Sequence, residues 1–382
     1  MPQADGLRVS GPLPPGSTIG ILGGGQLGRM LALAAARLGL RCHIYSPEPE
    51  SPAFDVAAVR TVAAYEDGDA LDAFARAVDV VTYEFENVDV ASAERLARRV
   101  TVRPGARALA VSQDRLTEKS FLRDLGIETA PFTAVDDLGA LAEALDALGR
   151  PAVLKTRRFG YDGKGQVRIA PVGEPADALA AIGGKPAILE GLVRFSREVS
   201  VIAVRAVDGA VACYDMAENV HRAGILHSST VPARIAPATA QQGRVIAGKI
   251  MEGLDYVGVL GVEFFVVGGG PGEAMTERLV VNEIAPRVHN SGHWTQDACA
   301  VSQFENHIRA IAGWPLGPTT RHADAVMTNL IGDDAENWSV LAGDGEARLH
   351  LYGKREAWSG RKMGHVNRLV GPRATRSGGR PV

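Results

Sequence analysis

Apolar and polar positions follow two rhythms along this chain, and the change between them marks an architectural boundary. From Thr18 the sequence TIGILGGGQLGRMLALAAARLGLRCHIYS gives a short apolar strand, a glycine loop, an amphipathic helix ended by Gly39 and a second strand, the start of a βαβ unit. A helix over 69–76, the strand VDVVTYEFEN and a helix over 90–98 continue the alternation to VRPG, so residues 1–113 read as a parallel α/β domain. SQDRLTEKSFLRDLG then predicts a charged helix stopped by Gly126, followed by an extended TAPFTAV and a helix over 137–148. After it the texture changes. PAVLKTRR and PAILEGLV are short strands flanking the glycine-rich FGYDGKGQ and a small helix, which makes 114–193 a separate α+β lobe.

From Glu198 the strands EVSVIAVRAV and AVACYDMAENVHRAG predict hairpins, and a long helix spans about 239–254. VGVLGVEFFVV and MTERLVVNEI follow as a strand pair around the turn GGGPGEA. Residues 194–382 therefore read as a larger antiparallel-sheet domain. The opening MPQADGLRVSGPLPPGS, residues 1–17, and the closing TRSGGRPV, residues 375–382, read as flexible tails. The first has neither the basic start nor the apolar core of a signal peptide, and no apolar run reaches the ~20 residues that span a bilayer.

Bulk composition narrows the class. A chain of 382 residues with 46% hydrophobic and 22% charged residues is an ordinary globular protein of two or three domains, and a net charge of −3 argues against nucleic-acid binding. Cys42, Cys213 and Cys299 are widely spaced and odd in number, which supports neither a zinc site nor a disulfide framework and suits a reducing cytosol.

Candidate chemistry concentrates between Asn282 and Gln296, NEIAPRVHNSGHWTQ, a density of carboxylate, Arg, His and Asn that suggests a polyphosphate or metal site. If Val267 pairs with Leu279, Glu263 lies opposite Glu283. Two carboxylates at ~4.5–5.5 Å cross-strand spacing repel, so something positive belongs between them: a divalent cation such as magnesium, or a basic residue such as Arg287. Gly23, Gly25 and Gly28 fit GxGxxG, and Glu48 stands where a dinucleotide-binding acid would; the same loop also suits another phosphate or polar ligand, with Gln26 pointing at it, or simply tight helix packing. Lys155 ends an apolar strand just before RRFGYDGKGQ, whose backbone donors and cations suit a nucleotide phosphate tail or a plain surface hairpin. Glu190 ends the next strand, where its backbone can meet an adenine edge, and Glu198 is placed to hold ribose hydroxyls.

A lysine strand, a glycine loop, a second strand ending in Glu and two late glutamates on a hairpin form the order seen in ATP-grasp ligases, which the chain resembles from Ile19 to about Asn367. GGGQLGRM, YEFEN, FGYDGKGQ and NEIAPRVHNSGHWTQ together resemble the 5-(carboxyamino)imidazole ribonucleotide synthetases within that superfamily. The resemblance implies that ATP phosphorylates bicarbonate to carboxyphosphate, which carboxylates the amine of 5-aminoimidazole ribonucleotide in purine biosynthesis. It also implies magnesium or manganese as cofactor and a homodimer. The relatives biotin carboxylase and formate-dependent glycinamide ribonucleotide transformylase lack the YDGKGQ and HNSGHW combination. An NAD-dependent oxidoreductase is the rival from another class.

Matched by position, the resemblance places ATP on Arg115, Lys155, the loop Gly160, Tyr161, Asp162, Gly163, Lys164, Gly165 and Gln166, the segment Glu190, Gly191, Leu192 and Val193, and on Glu198, His221, Asn282 and Glu283. Metal falls on Glu263 and Glu283. The ribonucleotide falls on Gln26, Glu84, Asn87, Tyr161, Asp162, Arg287, His289 and Asn290, with Lys354 and Arg361 clamping its phosphate. By themselves Arg115 reads equally as a solvated ion-pair residue, His221 as a structural histidine and the Lys354/Arg361 pair as an exposed basic hairpin. Asp162 or His289 is positioned by this match to take the amine's proton, and Tyr161 to orient the substrate. Many superfamily members carry Asn two residues after the second metal glutamate, whereas this chain has Ala285 there and Asn282 just before it.

Overall fold

The structure of the chain, a computed structural model, describes residues 11–160, 163–268 and 276–371. Tyr161 and Asp162, nearly all of the turn GGGPGEA and the closing TRSGGRPV lie outside the described residues.

Three sheets organise the described residues. The first holds β1 (Thr18–Leu22), β2 (Arg41–Ser46), β3 (Val59–Val62) and β4 (Val80–Tyr83), all parallel, in the order β3-β2-β1-β4. Helices α1 (Gln26–Arg37) and α2 (Gly68–Arg76) make crossovers, and α3 (Val90–Ala97) follows β4 and returns the chain to a parallel bridge between Val81 and Val102. Near-continuous apolar strands such as TIGIL are what a parallel sheet covered on both faces requires. Two helices then lead away, α4 (Ala106–Ser112) and α5 (Arg115–Asp124). Asp114 ends the gap between them by capping α5, accepting from the Leu116 and Thr117 amides at 3.0 and 3.1 Å.

The second sheet, antiparallel, contains β5 (Phe132–Val135), β6 (Ala152–Thr156), β7 (Gln166–Ile169) and β8 (Ala187–Gly191) in the order β5-β8-β6-β7. Helices α6 (Leu138–Leu148) and α7 (Pro175–Ala181) back it with their apolar faces, Leu141, Ala144, Leu145 and Ala178. The third sheet carries β9 (Arg197–Arg205), β10 (Val211–Cys213), β11 (Ala217–Arg222), β12 (Ile225–Val231) and, after the long α8 (Pro237–Gly253), β13 (Gly258–Val267) and β14 (Arg278–Ala285). Helices α9 (Thr295–Ala298) and α10 (Gln303–Ile311), strand β15 (Asp324–Ile331), helix α11 (Trp338–Gly343) and strands β16 (Ala347–Leu351) and β17 (Lys362–Val370) complete it. The order is β14-β13-β9-β11-β12-β15-β17-β16, with β10 beside β9. The stretch AVACYDMAENVHRAG is thus two strands, broken where Tyr214 buries its ring and donates to the Val301 carbonyl at 2.9 Å.

The start of the chain is less loose than its Gly and Pro content predicts. Leu13 is buried, its amide donates to Ala312 O at 2.9 Å and its carbonyl accepts from the Trp314 indole at 2.7 Å. Residues 11–17 therefore belong to the folded body, because one apolar side chain finds a slot beside α10. Among the described residues no helix is long and apolar enough to cross a membrane.

His307 on α10 joins the first and third sheets. Its Nδ1 accepts from the Val259 amide at 3.1 Å, so Nε2 carries the proton and donates to Thr82 Oγ1 at 2.8 Å. Burial pushes its pKa down to about 3 from 6.5. The unfolded chain then binds the extra proton between those two values, so stability is full above the upper one and falls as pH drops through the window. We expect Thr82→Val, which orphans the buried Nε2–H, to cost about 1–3 kcal/mol in urea unfolding, with Thr82→Ser losing far less. Equal stability of Thr82→Val and the parent would show that the bridge is dispensable.

Candidate active site

The carboxylate pair sits where the strand pattern places it, but for a different reason. Most of the β13/β14 ladder is one residue out of the expected register, since Val266 pairs with Leu279 and Val267 with Arg278. A bulge at Asn282 then absorbs one residue, and Glu263 faces Glu283 after all. In a regular strand neighbours point to opposite faces; the bulge lets both Asn282 and Glu283 line the same cavity.

That cavity, about 330 Å³, lies between the second and third sheets. It is lined by Arg115, Lys155, Gly163, Gln166, Glu190, Gly191, Leu192, Val193, Glu198, His221, Glu263, Asn282 and Glu283. Gly160 and Lys164 instead line a larger neighbouring cavity of about 620 Å³. Gly165 lines neither; a Cβ there would come within 2.6 Å of Thr156 Oγ1, so its φ of +71° and its lack of side chain serve the close packing of the loop on β6. The larger cavity is also lined by Gln26, Glu48, Glu84, Asn87, Arg287, His289, Asn290, Lys354 and Arg361. Arg115, Glu283, His289, Asn290 and Lys362 line both cavities, so the two meet along the segment that opens with Asn282.

Electrostatics in the smaller cavity are tightly arranged. Lys155 Nζ donates to Glu190 Oε2 at 2.8 Å, with Lys119 Nζ 3.8 Å from the other oxygen. Burial alone raises the Glu190 pKa, and the two ammonium groups override it to about 2. Glu190 thus contributes a charged side chain to the cavity wall. His221 Nδ1 is 2.8 Å from Glu198 Oε2, which raises the imidazole pKa against the effect of burial. Arg115 Nη1 lies 3.2 Å from Glu283 and Nη2 donates to Gly160 O at 3.3 Å, tying the glycine loop's first residue to the carboxylate pair. Arg115, not Arg287, is therefore the cation on this pair. Burial and the Glu283 charge push the Glu263 carboxyl upward, the mark of a negative charge without enough compensation. Hard oxygen donors in that state fit a divalent cation completed by phosphate oxygens, although no cluster of three or more His, Cys, Asp or Glu ligands gathers among the described residues.

In the larger cavity Arg287 makes a two-pronged pair with Glu86, Nε to Oε2 and Nη2 to Oε1, the latter at 2.8 Å. Burial and then Arg287 push the His289 pKa down to about 3. Gln303 holds the His289 backbone on both sides, accepting from its amide at 2.9 Å and donating to its carbonyl at 2.7 Å. Asn290 and Asn329 exchange amide hydrogen bonds at 2.5 and 3.0 Å. Lys354 Nζ donates to Lys362 O and Arg361 Nη1 to Glu356 O, at 2.8 and 2.6 Å, while the Arg361 guanidinium stacks 3.7 Å from the Trp358 ring. Glu84 turns inward: it accepts from the Gly25 and Gly28 amides at 2.6 and 3.0 Å, and so occupies the helix N-terminus that the glycine fingerprint offers to a phosphate.

Glu86, Lys119, Gln303 and Asn329 escaped the sequence reading. Lys119 is buried, and its Nζ donates to Asn282 O at 2.7 Å and Val281 O at 3.3 Å, pinning the bulge. α5 reads as a solvated charged helix, yet Arg115, Lys119 and Leu122 at i, i+4 and i+7 share a face, and Leu122 marks that face as buried.

Two cavities meeting at a hairpin carboxylate pair, with a buried lysine strand at one and a glycine loop that borders both, define an ATP-grasp enzyme. The matching family models agree: ATP-grasp domain over 120–304, ribonucleotide synthetase preATP-grasp domain over 17–113, and phosphoribosylaminoimidazole carboxylase C-terminal domain over 325–375. The chain is 58% identical to the N5-carboxyaminoimidazole ribonucleotide synthase of Brucella melitensis, over 94% of this chain and 97% of that one. It superposes on the Thermus thermophilus synthetase with a TM-score of 0.85 at 47% identity, covering 92% of this chain and 93% of that one. The Aspergillus clavatus synthase, solved with ADP and 5-aminoimidazole ribonucleotide, gives 0.86 at 32% identity, covering 93% and 94%. The chain belongs to the N5-carboxyaminoimidazole ribonucleotide synthase family and is an ATP-dependent ligase.

For Lys119→Met, which unpins the bulge and removes a countercharge from Glu190, we expect about tenfold weaker ATP binding, ~1.4 kcal/mol, by calorimetry. An unchanged Kd would mean that the ladder holds the bulge unaided.

Proposed function

We propose that the enzyme carboxylates the amine of 5-aminoimidazole ribonucleotide with bicarbonate at the expense of ATP, and that the reacting groups meet where the two cavities join. The observation that carries this is the shared wall of Arg115, Glu283, His289, Asn290 and Lys362. ATP occupies the smaller cavity, its phosphates toward Lys155 and the glycine loop. The ribonucleotide occupies the larger one, its phosphate toward Lys354 and Arg361 and its imidazole toward Arg287 and Asn290.

The terminal phosphoryl group passes from ATP to a bicarbonate oxygen, giving ADP and carboxyphosphate. The amine then attacks the carboxyl carbon, the bond to the phosphate oxygen breaks, and the amine's proton is lost. Magnesium held by Glu263 and Glu283 would supply charge compensation on the transferring phosphate. Arg115 adds a fixed cation beside that position and, through Gly160, couples it to the loop over the nucleotide. Closure there keeps carboxyphosphate from water. Glu86 holds the Arg287 guanidinium in one orientation, which a planar imidazole substrate requires. Family likeness further supports a homodimer. The free thiols of Cys42, Cys213 and Cys299 accord with a cytosolic setting.

The decisive assay follows ADP release with magnesium, ATP, bicarbonate and the aminoimidazole ribonucleotide, omitting each in turn. We expect rapid release only when the ribonucleotide is present, and none after chelation of the metal; stimulation by glycinamide ribonucleotide in its place would overturn the substrate assignment. Loss of one phosphate contact in Lys354→Ala should raise the KM for the ribonucleotide about tenfold or more while leaving the KM for ATP nearly unchanged. The opposite pattern would move the phosphate clamp elsewhere.

A further inference from the structure

His289 borders both cavities, and what lies behind its ring decides what it can do there. The residue precedes the short turn Asn290–Gly292, and its Nδ1 is 3.4 Å from the Ser291 backbone nitrogen and 2.8 Å from Ser291 Oγ. A backbone N–H can only donate. Nδ1 therefore presents its lone pair to Ser291, and the proton of the neutral ring sits on Nε2.

A row of buried side chains enforces the same polarity. Ser229 Oγ donates to Asn219 Oδ1 at 2.8 Å, Asn219 Nδ2 donates to Ser200 Oγ at 3.0 Å, and Ser200 Oγ donates to Ser291 Oγ at 2.7 Å. Each hydroxyl that accepts one proton must direct its own onward, so the Ser291 proton is left for His289 Nδ1. All four residues are buried, and they come from β12, β11, β9 and the turn, so the row crosses the third sheet from strand to strand. At the other edge of the ring, Nε2 lies 3.6 Å from Glu263 Oε1, on the nucleotide side.

We propose that Ser291, backed by Ser200, is a positioning residue that holds His289 in its Nε2–H tautomer, so that His289 donates a hydrogen bond to the carboxyl group in transfer and does not take the amine's proton. A base needs a lone pair facing the substrate. The only lone pair on this ring faces Ser291, where protonation would break two hydrogen bonds. The amine's proton goes to another acceptor or to solvent. This assignment rests on reading the site as a carboxylation site, but the tautomer itself does not.

The test begins without substrate. Protein carrying 15N-histidine is studied by long-range 15N–1H NMR, with the His289 signals identified by their loss in His289→Gln. We expect the Nε2–H pattern in the parent, moving toward a mixture of tautomers in Ser291→Ala and less so in Ser200→Ala. An Nδ1–H pattern in the parent overturns the proposal whether or not either serine variant folds. In the carboxylation assay, His289→Gln, whose amide can donate from near the Nε2 position, should keep kcat within about tenfold and retain the acidic limb of the pH profile, whereas His289→Leu should lose about 100- to 1,000-fold. Equal losses in the two variants, or disappearance of the acidic limb in His289→Gln, would show that the ring is the base. An Nδ1–H spectrum alongside intact carboxylation would sink only this inference, whereas an Nε2–H spectrum with no carboxylation would sink only the reaction.

Discussion

The face-to-face placement of Glu263 and Glu283 is the constraint on which the rest of the site depends. Two carboxylates on adjacent strands repel, and partial burial makes the repulsion costly. The compensation is uneven: Arg115 pairs with Glu283, while Glu263, with His289 Nε2 at 3.6 Å, still has its carboxyl driven upward by burial and by Glu283. The unbalanced half is what a metal-bound polyphosphate can relieve, so the same charge that strains the hairpin favours its ligand.

Around that pair the fold places cations in layers with different duties. Lys119 and Lys155 hold Glu190 and the bulge, which fixes one wall of the smaller cavity. Arg115 spans Glu283 and the glycine loop, and so ties that loop to the carboxylate pair. Arg287 is held by Glu86, from the YEFEN segment that follows β4, which makes one wall of the larger cavity a joint product of the first and third sheets. Breaking any one of these pairs leaves a partly buried charge exposed to its neighbours, so their energies are coupled and should not add.

How legible this was depended on whether a feature was local. Strand and helix periods, the glycine loop and the glutamate spacing all lie within short windows, and each predicted element near them is present. The Glu263/Glu283 pairing came out despite an incorrect register from Phe264 to Val267, because the unforeseen bulge at Asn282 brings the three pairs from Glu263 to Gly261 back into the expected register. Lys119 was hidden by a helix that is polar on average, with Leu122 the one sign of its inner face. Glu86, Gln303 and Asn329 lie 201, 14 and 39 residues from the partners they hold, beyond any local pattern. The glycine fingerprint misled in the other direction, since an acid 56 to 59 residues away fills the helix terminus that the local pattern leaves open.

The sequence by itself determined most elements up to the Glu263/Glu283 hairpin, their order, the two glycine loops and the two glutamates that face each other, because those follow from local period and residue chemistry. Only the tertiary structure decided which charges are compensated and from where: that Arg115 rather than Arg287 answers Glu283, that Glu84 caps the first turn of α1, and that a row of serines and an asparagine sets the proton of His289. The reason is physical. Charge compensation and tautomer choice depend on distances of about 3 Å between groups far apart in the chain, and those distances exist only once the three sheets have packed.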